Sequence, residues 1–165
     1  MMKLTGHKLS EEQAKEISNW KYTGEYSIYS LPSWDKMVQK DYSLTDPAKR
    51  ERYIGYTNDY GELVGFVNLS DKGDKVCFGI GLKPDYCGRG IGRIITKMAL
   101  IESQKRFPNK PVMLEVRAWN KRAVNCYESQ GFEIVEIKQQ QTHIGFGEFY
   151  VMRHRGMPAT NQWKT

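Results

Sequence analysis

The stretch Val76-Cys77-Phe78-Gly79-Ile80-Gly81-Leu82, followed closely by Cys87-Gly88-Arg89-Gly90-Ile91-Gly92, decides the fold of this chain. The first run has the apolar composition of a strand, and the second is a glycine-rich turn that leads into a helical pattern. A glycine-rich turn that opens a helix directs several backbone N–H groups and the positive helix end at one point. The sequence therefore predicts a phosphate site at residues 87–92.

A strand and a short helix downstream of this turn carry two polar groups. Residues 111–118 have a strand pattern that contains Glu115. Residues 121–130 have a helical pattern that contains Tyr127, with Gly131 suited to end the helix. The carboxylate and the phenol are in a position to share one cavity. Together with the phosphate site, this pattern predicts a group transferase that uses a cofactor carrying a pyrophosphate.

The rest of the chain predicts a mixed α/β (α+β) fold. The further elements are a capped helix over 10–19, a short helix over 34–38, strands over 53–57 and 62–68, a long helix from 91, and two closing strands over 132–138 and 148–153. The stripe expected to face the core in the long helix is Ile91, Ile94, Ile95, Met98, Ala99 and Ile101. We predict a central mixed sheet of six to seven strands flanked by about four helices. We expect one domain over residues 1–155 and a flexible tail over 156–165.

Composition narrows the class of protein. No apolar run approaches the roughly 20 residues that span a bilayer, and the N-terminal residues lack the apolar core of a secretory signal. The three cysteines are an odd number without metal-ligand spacing, which favours a reduced, cytoplasmic protein. A net charge of +6 suits an anionic partner or an ordinary charged surface. Because the basic residues form no arginine-rich stripe and no recognised binding motif, we expect no nucleic-acid partner. Because no apolar run could span a bilayer, we also expect no membrane partner.

The glycine turn differs from two commoner phosphate-binding motifs. A dinucleotide fingerprint that starts at Gly88 would need a third glycine at position 93, where the chain has Arg93. No Gly-Lys-Ser or Gly-Lys-Thr is present, which excludes a P-loop. The three histidines are too scattered to predict a metal site.

The block Pro84–Gly92, followed by Glu115-Val116-Arg117-Ala118-Trp119-Asn120 and by Ala123, Tyr127 and Gly131, resembles the GCN5-related N-acetyltransferase (GNAT) family. The family's acyl-CoA loop begins with Arg or Gln, whereas this chain has Cys87. The swap retains the backbone N–H but removes a side-chain contact. Cys87 is therefore either a tolerated small residue or an oxidation-prone thiol. The segment with Glu115 and Tyr127 is particularly similar to the ribosomal-protein alanine N-acetyltransferases.

The resemblance implies acetyl-CoA (CoA) as cofactor, with the pantetheine arm pairing along the strand that holds Ile80 and Leu82. The cofactor contacts that it implies are Ile80, Leu82, Cys87, Gly88, Arg89, Gly90, Ile91, Gly92, Arg93, Asn120, Ala123 and Tyr127. Asn120 is alternatively a helix cap, and Arg89 or Arg93 alternatively a solvated charge.

The resemblance also implies the catalytic residues. Glu115 corresponds to a general base and Tyr127 to the general acid that protonates the departing thiolate. The alternatives are that Glu115 only pairs with a cation and that Tyr127 is a core aromatic. The implied reaction is direct transfer of an acetyl group from acetyl-CoA to a primary amine. A catalytically impaired acyl-CoA-binding module is the alternative function.

The acceptor is implied less clearly. Candidate substrate contacts are Tyr22, Glu25, Tyr26 and Tyr29, together with the segment His143–Glu148, because aromatic rings and carboxylates attract a cationic amine. These aromatics are alternatively packing residues. We expect a small molecule or a protein N-terminus as acceptor, no metal, and a monomer or homodimer.

Overall fold

The computed structural model describes residues 2–142 and 144–156. The strands in these residues are β1 (Thr5–Lys8), β2 (Tyr53–Thr57), β3 (Leu63–Asp71), β4 (Val76–Leu82), β5 (Val112–Arg117), β6 (Phe132–Thr142) and β7 (Gly145–His154). The α-helices are α1 (Glu11–Ser18), α2 (Trp34–Gln39), α3 (Ile91–Arg106) and α4 (Lys121–Ser129). Short 3₁₀ helices cover Gly24–Tyr29, Ser43–Thr45, Lys49–Arg52 and Pro84–Tyr86. His143 and nearly all of the predicted tail lie outside the described residues.

The seven strands form one sheet in the order β1-β2-β3-β4-β5-β7-β6. β4 and β5 pair in parallel, with Val76 opposite Val112 and Cys77 opposite Met113. The pairs β1–β2, β2–β3, β5–β7 and β6–β7 are antiparallel. The predicted mixed sheet of six to seven strands and the predicted α/β class are therefore confirmed.

The chain divides into two compact units that we describe separately. The first contains the described residues up to Asn68 together with Ile80–Arg89. Its buried cluster consists of Leu9, Ala14, Ile17, Trp20, Met37, Leu44, Tyr53 and Leu63. α1 begins as predicted, because the Ser10 hydroxyl accepts from the Gln13 N–H and the Gln13 side chain accepts from the Ser10 N–H.

The second unit contains Leu69–Gly79 and the described residues from Gly90 onward. α3 buries Ile91, Ile95, Thr96, Ala99, Leu100 and Ser103. Of the predicted stripe, Ile91, Ile95 and Ala99 are therefore buried, and the other three residues, Ile94, Met98 and Ile101, are half-buried. α3 also buries the small polar residues Thr96 and Ser103. A prediction of buried positions from hydrophobicity alone does not include them.

Two further differences concern strands. β1 was not predicted, since Thr-Gly-His-Lys offers no apolar alternation, and it forms by pairing with β2 at the edge of the sheet. β6 and β7 extend beyond the predicted closing strands, to Thr142 and from Gly145. A register shift between Ile134 and Glu136 interrupts their ladder. Such a shift marks a β-bulge, which increases the local twist of an edge strand.

Candidate active site

The glycine-rich loop has the backbone conformation that its glycines allow. Gly88 has φ +76° and Gly90 has φ +81°, which is the left-handed region. Gly90 caps α3, a helix of 16 residues, without a side-chain hydrogen bond to the first-turn amides. Gly88, Arg89 and Gly90 are exposed, and a Cβ built on Gly90 meets nothing within 4 Å. The first turn of α3 thus opens onto free space beside a glycine, which fits an anion.

The other predicted loop residues differ in exposure. Cys87 is half-buried, and its thiol lies 3.8 Å from the Lys83 carbonyl oxygen. Ile91 is buried, Gly92 is half-buried and Arg93 is exposed. Ile91 therefore has its side chain in the protein interior, and only its backbone is suited to a ligand.

Ile80 and Leu82 are half-buried on the C-terminal half of β4. The Leu82 carbonyl accepts a hydrogen bond from the Tyr22 hydroxyl at 2.6 Å. Burial of the phenol, with a smaller contribution from Cys87, raises the pKa of Tyr22. Tyr22, which we expected to contact the acceptor, therefore binds the backbone of the predicted cofactor strand. Between the two residues, a Cβ on Gly81 would come within 2.4 Å of the Phe66 ring, so packing alone requires this glycine.

Glu115 lies on β5 with its side chain 46% exposed. Its Oε2 accepts from Lys138 Nζ on β6 at 2.9 Å. This ion pair is the alternative that the sequence left open for Glu115. An exposed pair of this kind is weak, at about 0–1 kcal/mol, so an incoming cation can replace Lys138.

Tyr127 is half-buried on α4 among aromatic rings. Its ring centroid lies 6.2 Å from that of Phe78 and 5.9 Å from that of Phe132, both edge-to-face. These contacts fix the ring and fulfil the packing alternative. The joint action of Glu115 and Tyr127 in one cavity stays a prediction.

Asn120 caps α4, as the alternative for this residue supposed. Its Oδ1 accepts from the Ala123 N–H at 3.2 Å, and the residue is 8% exposed. Ala123 itself is half-buried. Since the Ala123 N–H is used in the cap, a cofactor contact from this residue would involve its methyl group.

The remaining predicted acceptor residues lie in the 3₁₀ helix Gly24–Tyr29. The Tyr26 and Tyr29 ring centroids are 6.5 Å apart, and Glu25 is exposed. The structure therefore brings these two rings together on the surface of the first unit.

The sequence did not predict an arginine–aromatic pair that joins β5 and β7. The Arg117 guanidinium lies 4.8 Å from the Phe149 ring centroid, and the two residues are register partners. Within the described part of the chain, no helix is long and apolar enough to cross a bilayer, and no metal-ligating cluster of three His, Cys, Asp or Glu side chains forms.

Comparison with known proteins gives three findings. The family model described as Acetyltransferase (GNAT) family matches residues 12–132. The N-alpha-acetyltransferase RimI of Mycobacterium tuberculosis is 33% identical over 106 residues, which is 61% of this chain and 64% of that protein. The ribosomal protein bS18-alanine N-acetyltransferase of Escherichia coli is 33% identical over 91 residues, which is 54% of this chain and 61% of that protein. The aligned part thus spans somewhat under two thirds of each relative.

The last of these findings, after the family model and the two relatives, is a likeness to a solved structure. A chimera of the spermidine N-acetyltransferase SpeG from Vibrio cholerae and hSSAT superposes with a TM-score of 0.76 at 22% identity, covering 92% of this chain and 94% of that one. At this identity the likeness concerns the fold.

Proposed function

Because the chain belongs to the Acetyltransferase (GNAT) family, we propose that it is an acetyl-CoA-dependent N-acetyltransferase that acts on a primary amine. The observation that carries the proposal is the glycine loop at the start of α3, which lies inside the matched region and has the backbone of an anion site. Acetyl-CoA supplies the activated acetyl thioester when bound. The residues of the chain bind the cofactor, orient it and move protons.

The loop residues fit a pyrophosphate. Gly88 and Gly90 let the backbone approach the anion. Because Gly90 has no side chain to accept from the first turn of α3, the N–H groups of that turn can donate to the anion at the positive end of the helix dipole. Arg89 and Arg93 are both exposed and add positive charge. We assign the pantetheine arm to the backbone of Ile80 and Leu82, with Asn120, Ala123 and Tyr127 as further contacts.

We assign the proton transfers to two side chains. An attacking amine must be neutral, and an α-amine with a pKa of about 8 is mostly protonated at neutral pH, as is a lysine with a pKa of about 10.4. Glu115 is the general base, because its side chain is 46% exposed and its carboxyl oxygens can accept this proton directly or through water. Tyr127 is the general acid, because its ring is fixed by Phe78 and Phe132 and its hydroxyl can protonate the thiolate.

The acceptor is a cationic primary amine. The names of the relatives point to a protein N-terminus, whereas the SpeG chimera is named for spermidine. The pairing of Glu115 with Lys138 supports a cation, since Lys138 presents an alkylammonium to the proposed base. The rings of Tyr26 and Tyr29, with Glu25 directly before Tyr26 in sequence, are suited to such a group.

Two observations favour the second candidate, an acyl-CoA-binding module with impaired catalysis. Glu115 is engaged by Lys138, and Cys87 stands where the family has Arg or Gln. A module of this kind would bind the cofactor through the same loop but transfer no acetyl group.

Calorimetric titration with acetyl-CoA, CoA and ATP, followed by thiol-release assays with an N-terminal peptide and with spermidine, tests both functions. Binding of acetyl-CoA and CoA but not ATP, together with acceptor-dependent CoA release, supports the transferase. Binding without release over a broad amine panel supports the module. Absence of cofactor binding overturns both.

A further inference from the structure

Four side chains tie the segment before the glycine loop to the turn between β2 and β3. We call Asn58, Glu62, Lys83 and Tyr86 the clasp. The Oε2 of Glu62 accepts from Lys83 Nζ at 2.7 Å, and its Oε1 accepts a hydrogen bond from the Tyr86 hydroxyl. Asn58 Nδ2 lies 3.3 Å from the Tyr86 hydroxyl and 3.4 Å from Glu62 Oε1. Both carboxylate oxygens of Glu62 are thus used to hold residues 83–86.

The hairpin turn gives the clasp a fixed base. Asn58 is 9% exposed, and its Oδ1 accepts from the backbone N–H groups of Tyr60 and Glu62, each at 3.0 Å. The Asn58 N–H in turn donates to the Glu62 carbonyl at 3.0 Å. Because both ends of the Asn58 amide are engaged, the carboxylate of Glu62 is presented in one orientation.

The other side of the clasp leads directly into the loop. Tyr86 closes a 3₁₀ turn, with its N–H donating to the Lys83 carbonyl at 2.8 Å, and Cys87 follows it. The Arg89 guanidinium lies over the Tyr86 ring, 5.1 Å from its centroid. The Tyr86 ring is therefore anchored at its hydroxyl and supports Arg89 on its face, as a cation–π contact.

The charges of the clasp strengthen one another. Lys83, followed by Tyr86, lowers the pKa of Glu62. Glu62 raises the pKa of Lys83 and of Tyr86, while Arg89 has the opposite, smaller effect on Tyr86. The stabilisation of the clasp by ionised Glu62 is fully present above the pKa range of an ordinary carboxyl group. It is lost as the pH falls through the lowered pKa of Glu62. The stabilisation from charged Lys83 is lost only as the pH rises through the raised pKa of Lys83, so Glu62 and Lys83 are both charged at neutral pH.

We propose that the clasp positions the glycine loop for the phosphates of the cofactor and holds Arg89 ready to contact one of them. Loop ordering on binding costs free energy, and a loop that is already ordered avoids that cost. Gly88 and Arg89 are exposed, so burial does not hold this part of the loop in place. The contacts of Tyr86 hold it instead. Asn58, Glu62, Lys83 and Tyr86 are positioning residues, and this inference rests on the proposed function.

Two variants with matched controls test the inference. Tyr86→Phe removes only the anchoring hydroxyl and keeps the ring under Arg89, whereas Glu62→Gln removes the central charge. Tyr60→Phe removes a hydroxyl from the same turn at a residue that is 94% exposed. Asp71→Asn weakens a comparable ion pair with Lys110, at 2.8 Å, outside the clasp.

We expect the Kd for acetyl-CoA, measured by calorimetry at neutral pH, to rise about three- to tenfold in the clasp variants, which corresponds to loss of one hydrogen bond of ordinary net strength. The controls should stay within about twofold of the unmodified protein. In steady-state assays KM for acetyl-CoA should rise while kcat and KM for the acceptor stay constant, a split that general destabilisation does not produce.

The outcomes separate this inference from the proposed function. If the unmodified protein does not bind acetyl-CoA, the proposed function is wrong. If it binds and the clasp variants bind as tightly as their controls, the positioning inference is wrong. Should Glu62→Gln fail to fold, Tyr86→Phe and Lys83→Met still decide the matter, because each removes one half-buried partner of the carboxylate.

Discussion

Replacement of Gly90 separates what the loop backbone contributes to folding from what it contributes to binding. At φ +81° an alanine pays the cost of the left-handed conformation, about 1–2 kcal/mol. A Cβ at this position meets nothing within 4 Å, so no clash adds to that cost. For a chain of 165 residues, Gly90→Ala should therefore lower Tm by about 2–8 °C.

The effect on acetyl-CoA should be much larger than the effect on stability. The Cβ enters the open space beside the first turn of α3, where we assign the pyrophosphate. Gly90→Val fills this space further and should abolish measurable binding. Gly90→Ala should weaken binding about 100-fold or more, since donors held away from a charged ligand lose several hydrogen bonds of about 1.5–3 kcal/mol each.

Two controls isolate the cause. Gly73→Ala places the same strain, at φ +94° and with nothing within 4 Å, in the turn between β3 and β4. It should lower Tm comparably and leave acetyl-CoA binding unchanged. Gly90→Asn relieves the strain, because asparagine tolerates this region, but it still blocks the space. Differential scanning fluorimetry and calorimetry report the two quantities. Tight acetyl-CoA binding by folded Gly90→Val would refute the loop assignment.

Three further predictions concern catalysis and stability. Tyr127→Phe should lower kcat about 10²- to 10⁴-fold with the Kd for acetyl-CoA nearly unchanged, and unaltered turnover would exclude Tyr127 as the acid. Glu115→Gln should depress kcat/KM most at low pH, where the amine is charged; a loss that is uniform across pH would assign the base elsewhere. Burial lowers the pKa of His154. Its Nε2 donates to the Gln130 carbonyl at 2.9 Å, and its Nδ1 accepts from the Gly156 N–H. Because one ring nitrogen donates and the other accepts, these hydrogen bonds require the neutral ring. The unfolded state therefore binds more protons than the folded state, so the free energy of unfolding in urea should fall as the pH is lowered from about 7 to about 5. This fall should be less steep in His154→Gln. The same pH dependence in the variant and the unmodified protein would contradict this account.

The elements that sequence analysis predicted well are those with local signals. α3 follows a glycine turn and α1 follows a capping box, so both begin where the sequence indicates. The contacts that fix the clasp join residues that are 21 to 28 positions apart. No local pattern connects Asn58 with Tyr86, and only the folded chain shows that they meet.

The candidate site divides in the same way. The glycine loop and the Asn120 cap could be predicted because each acts through adjacent backbone. Lys138 could not be assigned to Glu115, since this requires that β7 lie between β5 and β6 in the sheet. Likewise the sequence gives no reason to expect the Tyr22 hydroxyl at the Leu82 carbonyl, 60 residues away.

The division of the chain into units has a consequence for synthesis on the ribosome. The first unit is not a continuous segment, because it includes Ile80–Arg89 in addition to the residues up to Asn68. Phe66 packs on Gly81, and the Tyr22 hydroxyl donates to the Leu82 carbonyl. Phe66 and Tyr22 are therefore translated before the residues that they contact. A nascent chain that stops at Asn68 is therefore an incomplete unit, in which the contact of Phe66 with Gly81 and the hydrogen bond of Tyr22 to Leu82 form only after residues 80–89 are translated.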